Sequence, residues 1–120
     1  RQEAAQFMFW KPMHYRNFDH HMAALTFTYD MNVVDEWVES FDGLMCEDEG
    51  ISSTKEVILF CAVNLWRKGR QDYANAIPAH KRQLFRCWER WTDLFLKEAV
   101  SLYPDGAGVT KADVEREAER

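Results

Sequence analysis

The sequence lacks any long uninterrupted apolar run. No segment approaches the roughly 18 to 20 apolar residues that a membrane-spanning helix needs. It also lacks the alternation of apolar and polar residues that is typical of β-strands. Disorder is excluded as well, because 47% of the residues are hydrophobic and 14% are aromatic, with five Trp. We therefore expect a folded, all-α protein that has no transmembrane span.

Cysteine is scarce. Cys46, Cys61 and Cys87 form an odd set, and no two of them make a CxxC pair. Cys61 and Cys87 lie in apolar helical surroundings, where free cysteine usually acts as a small core residue. The sequence therefore favours a reducing compartment over a disulfide framework.

Catalytic motifs are also lacking. There is no GxSxG elbow, no phosphate-binding Walker loop and no dinucleotide-binding glycine pattern. The four His are His14, His20, His21 and His80. The adjacent pair would point about 100° apart on a helix, whereas helical metal ligands are spaced by three or four residues. A metal-dependent enzyme is thus the weakest hypothesis. We predict no catalytic, metal-binding or cofactor-binding residue, and we expect these His to line a surface or a partner contact.

Positive charge is in the minority. Fifteen Lys and Arg face 20 Asp and Glu, which makes the net charge -5 and argues against nucleic acid as the main partner. One basic cluster stands out, formed by Arg67, Lys68 and Arg70. It could contact an acidic partner or a phosphate. The simpler interpretation is that these charges complement the end of a helix in solvent.

Residues 53–77 form the most informative stretch. Ser53 and Glu56 have the spacing of a capping box, which predicts that a helix begins here. The run from Val57 to Val63 is apolar without a break, so this helix should be buried on most sides. Gly69 is typical of a helix end, and Asp72 could cap a second helix. The stretch is therefore predicted to be a helical hairpin.

Helical spacing extends through the rest of the chain. Apolar residues predict a helix over 17–29, a break at Asp30–Asn32 and a second helix from there to about Leu44. Another long pattern covers His80–Tyr103, with Trp88 and Trp91 in the core. Thr110 begins a short charged helix that is expected to be solvated. These five or six helices are predicted to stack as antiparallel hairpins in a short right-handed superhelix, as in repeat proteins.

The first residues differ from the rest in being rich in aromatics. We expect residues 1–16 to form an N-terminal arm and residues 17–120 to form a single helical domain. Phe7, Phe9 and Trp10 make the arm a candidate docking element, because aromatic side chains are favoured anchors at protein interfaces. Since the sequence starts at Arg1 and not at Met, we expect a fragment or a processed product.

Several segments together resemble the cytochrome c oxidase subunit 5A family. Val34-Asp35-Glu36-Trp37 is similar to the family's helix-opening "Asp-x-Asp-x-Trp-Glu". The residues from Ala62 to Lys68 resemble "Ala-Cys-Arg-Arg-Leu", and those from Gln71 to Ile77 resemble "Asn-Asp-Phe-Ala-x-Ala-Val" most closely. The tail from Leu102 to Val114 is similar to the family's last loop and helix. The chain departs from the family at Glu49–Ser52, where the family has "Val-Pro-Glu-Pro".

The resemblance implies a function. It implies a non-catalytic accessory subunit of mitochondrial cytochrome c oxidase, on the matrix side of the inner membrane. Such a subunit would be peripheral to the membrane, carry no redox cofactor, take no small-molecule substrate and contact protein subunits of the complex. The alternative is a helical adaptor or scaffold that binds a protein partner outside the respiratory chain.

Overall fold

A computed structural model describes residues 15–47 and 49–120, with side-chain surroundings from residue 28 onward. This part of the chain is almost entirely helical and contains no β-strand, so the prediction of an all-α fold is confirmed. None of its helices combines the length and the apolar character needed to cross a membrane. The helices are α1 (Tyr15–Glu47), α2 (Thr54–Asn75), α3 (Pro78–Leu84), α4 (Cys87–Leu102) and α5 (Lys111–Ala118), with a 3-10 turn at Pro104–Gly106.

The core lies where α1, α2 and α4 pack together, and α5 closes it from the side of α2. Its largest fully buried side chains are Trp91, Phe41, Phe95, Ile58 and Leu65. The rings of Phe41 and Phe95 meet nearly edge to face, with their centroids 5.8 Å apart. Trp91 is therefore a core residue as predicted, whereas Trp88 is only half buried and packs against the edge of the core.

The predicted break at Asp30–Asn32 does not exist, because α1 is a single helix of 33 residues. Asp and Asn disfavour helix interiors when their side chains compete for the backbone. The Asp30 carboxylate instead accepts hydrogen bonds from α4. Trp91 Nε1 donates to Asp30 Oδ1 at 2.7 Å, and Arg90 Nε donates to Asp30 Oδ2 at 2.9 Å. Because these tertiary hydrogen bonds engage the Asp30 carboxylate, it does not compete for the backbone of α1, and the helix continues.

The predicted helix end at Gly69 is also wrong, since α2 continues through Gly69 to Asn75. Gly69 is buried, and a Cβ atom at this position would lie 2.7 Å from both Cα and Cβ of Trp88. The Cys87 thiol donates to the Gly69 carbonyl at 3.4 Å. The missing side chain therefore serves the close approach of α4 to α2, and Asp72, predicted as a cap, instead pairs with Lys68 inside the same helix.

The long pattern over His80–Tyr103 is divided into α3 and α4 by a turn at Phe85 and Arg86. Arg86 adopts a left-handed conformation, with φ 52°. Arg90 joins the two helices, because its guanidinium donates to the carbonyls of Phe85 at 2.8 Å and Gln83 at 3.0 Å. These are carbonyls at the end of α3, so Arg90 supplies partners that the terminated helix lacks.

The helix starts predicted at Ser53 and Thr110 are confirmed. The Ser53 hydroxyl accepts from the Glu56 N–H at 3.2 Å, and the Glu56 carboxylate accepts from the Ser53 N–H at 2.9 Å. Thr110 and Asp113 make the same reciprocal pair at the start of α5. The expectation that α5 is merely solvated needs correction, because Val114 is fully buried against the core.

We predict that Asp30→Ala lowers the free energy of unfolding by about 2 to 3 kcal/mol, because it leaves the buried Trp91 N–H and the Arg90 guanidinium without their acceptor. Urea unfolding followed by tryptophan fluorescence measures this loss. The matched control is Asp93→Ala, which removes an exposed ion pair with Lys111 and should cost under about 1 kcal/mol. Equal losses for the two variants would contradict the anchoring role of Asp30.

Two glycine substitutions should change stability in opposite directions. Gly69→Ala should lower the free energy of unfolding by roughly 1 to 3 kcal/mol, since its methyl group overlaps Trp88. Gly43→Ala meets nothing within 4 Å and should raise stability by about 0.5 to 1 kcal/mol through better helix propensity. Thermal unfolding followed by circular dichroism compares the two melting temperatures, and a stabilised Gly69→Ala protein would contradict the packing described here.

Candidate functional site

The basic cluster predicted as a partner contact lies on the second half of α2, and the structure gives each of its side chains a partner within the chain. Arg67 Nη2 lies 3.5 Å from the carbonyl oxygens of Glu117 and Ala118, at the end of α5. Arg70 pairs with Glu119, and Lys68 Nζ lies 2.9 Å from Asp72 Oδ2. The two arginines thus complement the negative end of α5, and not that of their own helix.

The same arginines form the rim of a shallow surface cavity of about 520 Å³ between α2 and α4. We call it the arginine–aromatic surface. It is lined by Arg67, Arg70, Gln71, Tyr73, Ala74 and Trp88.

Aromatic rings form the floor of the arginine–aromatic surface. Tyr73 and Trp88 contact each other with their centroids 5.6 Å apart, at an interplanar angle of 65°. Trp66 supports Trp88 from the core side at 6.4 Å. On the far side of Tyr73, the Lys81 ammonium lies 4.9 Å from the ring centroid, which is within the range of a cation–π contact. Rigid aromatic rings flanked by guanidinium groups can stack with a partner and donate hydrogen bonds to it.

A second surface lies at the other end of α2. It is an open groove of about 410 Å³ between the last turn of α1 and the first turns of α2, and we call it the α1–α2 groove. Its lining residues are Leu44, Glu47, Ser52, Glu56, Val57 and Phe60. Phe60 is 62% exposed and Leu44 is 41% exposed. Phe60 belongs to the run from Val57 to Val63 that the sequence predicts to be buried on most sides. Its exposure corrects that prediction, because an unbroken apolar run does not show which side lacks a covering neighbour.

The cysteines are free, and two of them belong to the core as predicted. Cys61 and Cys87 are buried, whereas Cys46 is exposed. Burial raises the pKa of both the Cys61 and the Cys87 thiol to about 11. At neutral pH these thiols are protonated and are poor nucleophiles.

The remaining candidate residues from the sequence are the histidines and the aromatic residues of the N-terminal arm. His80 is exposed on α3, and His20 and His21 fall within α1. Phe7, Phe9, Trp10 and His14 lie outside the described residues. In residues 15–47 and 49–120, no three His, Cys, Asp or Glu side chains come together in a way that could hold a metal ion.

Comparison with known proteins identifies no relative of this chain. No protein-family model, curated protein or solved structure matches the chain.

The burial of the cysteines predicts their reactivity. In the native protein, a chromogenic disulfide reagent at pH 8 should react quickly with Cys46 alone, because the other two thiols are covered and have pKa values of about 11. All three should react after denaturation. In a Cys46→Ser variant the fast phase should disappear, and a fast phase that remains would contradict the burial of Cys61 and Cys87.

Proposed function

We propose that this chain is a non-catalytic accessory subunit of mitochondrial cytochrome c oxidase, held at the matrix side of the inner membrane by contacts with other protein subunits. In this role it stabilises the complex and carries no redox centre, substrate site or nucleic-acid site. The proposal rests on the resemblance to the subunit 5A family and on the surface that the resembling residues form.

The main structural support for the proposal is the arginine–aromatic surface. Gln71, Tyr73 and Ala74 line it, and all three come from the segment that resembles the family most closely. Arg, Tyr and Trp are the residue types most enriched among those that dominate the binding energy of protein interfaces. The local motif and a surface suited to protein contact therefore coincide in the same half of α2.

The proposal also includes the way in which the helices stack as hairpins. Helices α1 and α2 are joined by a short connection and pack against each other, as expected for antiparallel neighbours. A stack of such hairpins in a short right-handed superhelix would suit a subunit that lies across several others. The arm over residues 1–16, with Phe7, Phe9 and Trp10, is a further docking element in this proposal.

A helical adaptor outside the respiratory chain is the second candidate. The observation that favours it is the length of α1, which runs without a break for 33 residues. A stack of short hairpins would divide such a segment into two helices. An adaptor would use the arginine–aromatic surface for a different protein partner.

Affinity purification tests the two candidates. The tagged chain, recovered from gently solubilised membranes, should bring the haem–copper core subunits of the oxidase with it in equal amounts by quantitative mass spectrometry. Ala74→Glu should reduce this recovery at least about tenfold, because it places a new negative charge in the lining of the proposed contact. Ala74 is exposed, so the variant should keep its fold.

The matched control is Ala112→Glu, which makes the same change at an exposed position of α5 and should leave recovery unchanged. An unrelated soluble partner in place of the core subunits would overturn the oxidase proposal in favour of the adaptor. Equal recovery of the two variants would overturn the role of the arginine–aromatic surface.

A further inference from the structure

The α1–α2 groove combines apolar side chains with an open shape. Leu44, Val57 and Phe60 supply its apolar lining. The connection between the two helices is only six residues long, from 48 to 53, so α2 returns alongside α1 and the groove lies next to this connection. An aromatic ring that is 62% exposed on the central helix of the fold loses the free energy that its burial would provide.

The surroundings of the groove are acidic. Residues 30–54 contain eight Asp and Glu and no Lys, Arg or His. Glu47 lines the groove and is exposed, and Glu39, about two turns earlier on α1, is exposed as well. In the part of the chain that the structure describes, the carboxylates of Glu39 and Glu47 have no hydrogen bond or ion pair.

This charge pattern selects among possible occupants. A second copy of the chain would bring the same acidic face, and like charges placed opposite each other disfavour association. An anionic lipid surface would be repelled for the same reason. A positively charged segment gains attraction from Glu47, which lines the groove, while its apolar residues cover Phe60.

We propose that the α1–α2 groove binds an amphipathic segment of a partner protein, which places an apolar side chain against Leu44, Val57 and Phe60 and a Lys or Arg side chain against Glu47. This mode resembles the docking of an amphipathic helix into an apolar groove. The inference rests on the proposed function, in that it states the chemistry of one neighbour of the subunit.

Two synthetic helical peptides of about 18 residues, long enough to populate a helix, test the proposal on the full chain. They share one leucine face and carry either Lys or Glu on its flanks. By calorimetry at low ionic strength, the Lys peptide should bind at least about tenfold more tightly than the Glu peptide, and added salt should weaken it. Absence of binding, or equal binding of the two peptides, would overturn the proposal.

Substitutions locate the binding. Phe60→Ser should weaken the Lys peptide at least about tenfold, because it removes the ring that the peptide covers. The matched control is Ile77→Ser at a residue that is 57% exposed, which should change the affinity by less than about twofold. Equal effects of the two substitutions would show that the peptide binds elsewhere and would overturn the proposal.

A charge reversal tests the acidic rim separately. Glu47→Lys should weaken the Lys peptide about threefold and strengthen the Glu peptide. Glu47 is the last residue of α1, where a positive charge also suits the helix end, so the variant should fold. Glu98→Lys makes the same change at an exposed position of α4 and should have a smaller effect, and an effect as large as that of Glu47→Lys would overturn the role of the rim.

Self-association provides the last check. Sedimentation of the unmodified chain should show monomers, and a dimer abolished by Phe60→Ser would assign the groove to a second copy and overturn the proposal. These measurements use the isolated chain, so they are independent of the oxidase purification. Failed peptide binding with intact recovery of the core subunits would overturn the groove proposal alone.

Discussion

The buried carboxylate of Asp30 is the interaction on which the arrangement of the helices depends. It accepts from Trp91 Nε1 at 2.7 Å and pairs with Arg90, and the same guanidinium holds the end of α3. A buried carboxylate is costly unless its partners are complete. Both partners come from adjacent residues of α4, so this contact ties α1 to α4 at the point where the two helices meet. Near the other end of α4, the Tyr103 hydroxyl donates to Asp42 Oδ1 at 2.6 Å and gives the same pair of helices a second attachment.

Signals that act within one turn of helix could be predicted from the sequence, and signals that depend on distant residues could not. Ser53 and Thr110 begin helices because their partners are three residues away, so both starts were recognised. Gly69 and Asp30 look locally like a helix end and a helix break. Each has the opposite role because of a residue on α4, namely Trp88 for Gly69 and Trp91 for Asp30. The turn after Leu84 was missed because Arg90 supplies its hydrogen bonds from outside the turn.

The two surfaces proposed for partner binding show the same difference between local and distant signals. The sequence identified Arg67 and Arg70 as unusual, but not the aromatic floor beside them, since Trp88 comes from another helix. It also placed Phe60 in the core, because an apolar run does not reveal which side is left uncovered. The fold therefore presents two different faces along α2, one with arginines and aromatic rings and one with an apolar groove and carboxylates.

Density-gradient sedimentation of gently solubilised inner membranes tests the central claim most directly. The chain should sediment with the haem absorbance of the oxidase, far ahead of a free 14.2 kDa protein. The ratio of chain to haem should stay constant across the peak, because an accessory subunit is present in fixed proportion. A chain that remains near the top of the gradient, or that sediments in a peak without haem, would contradict the account.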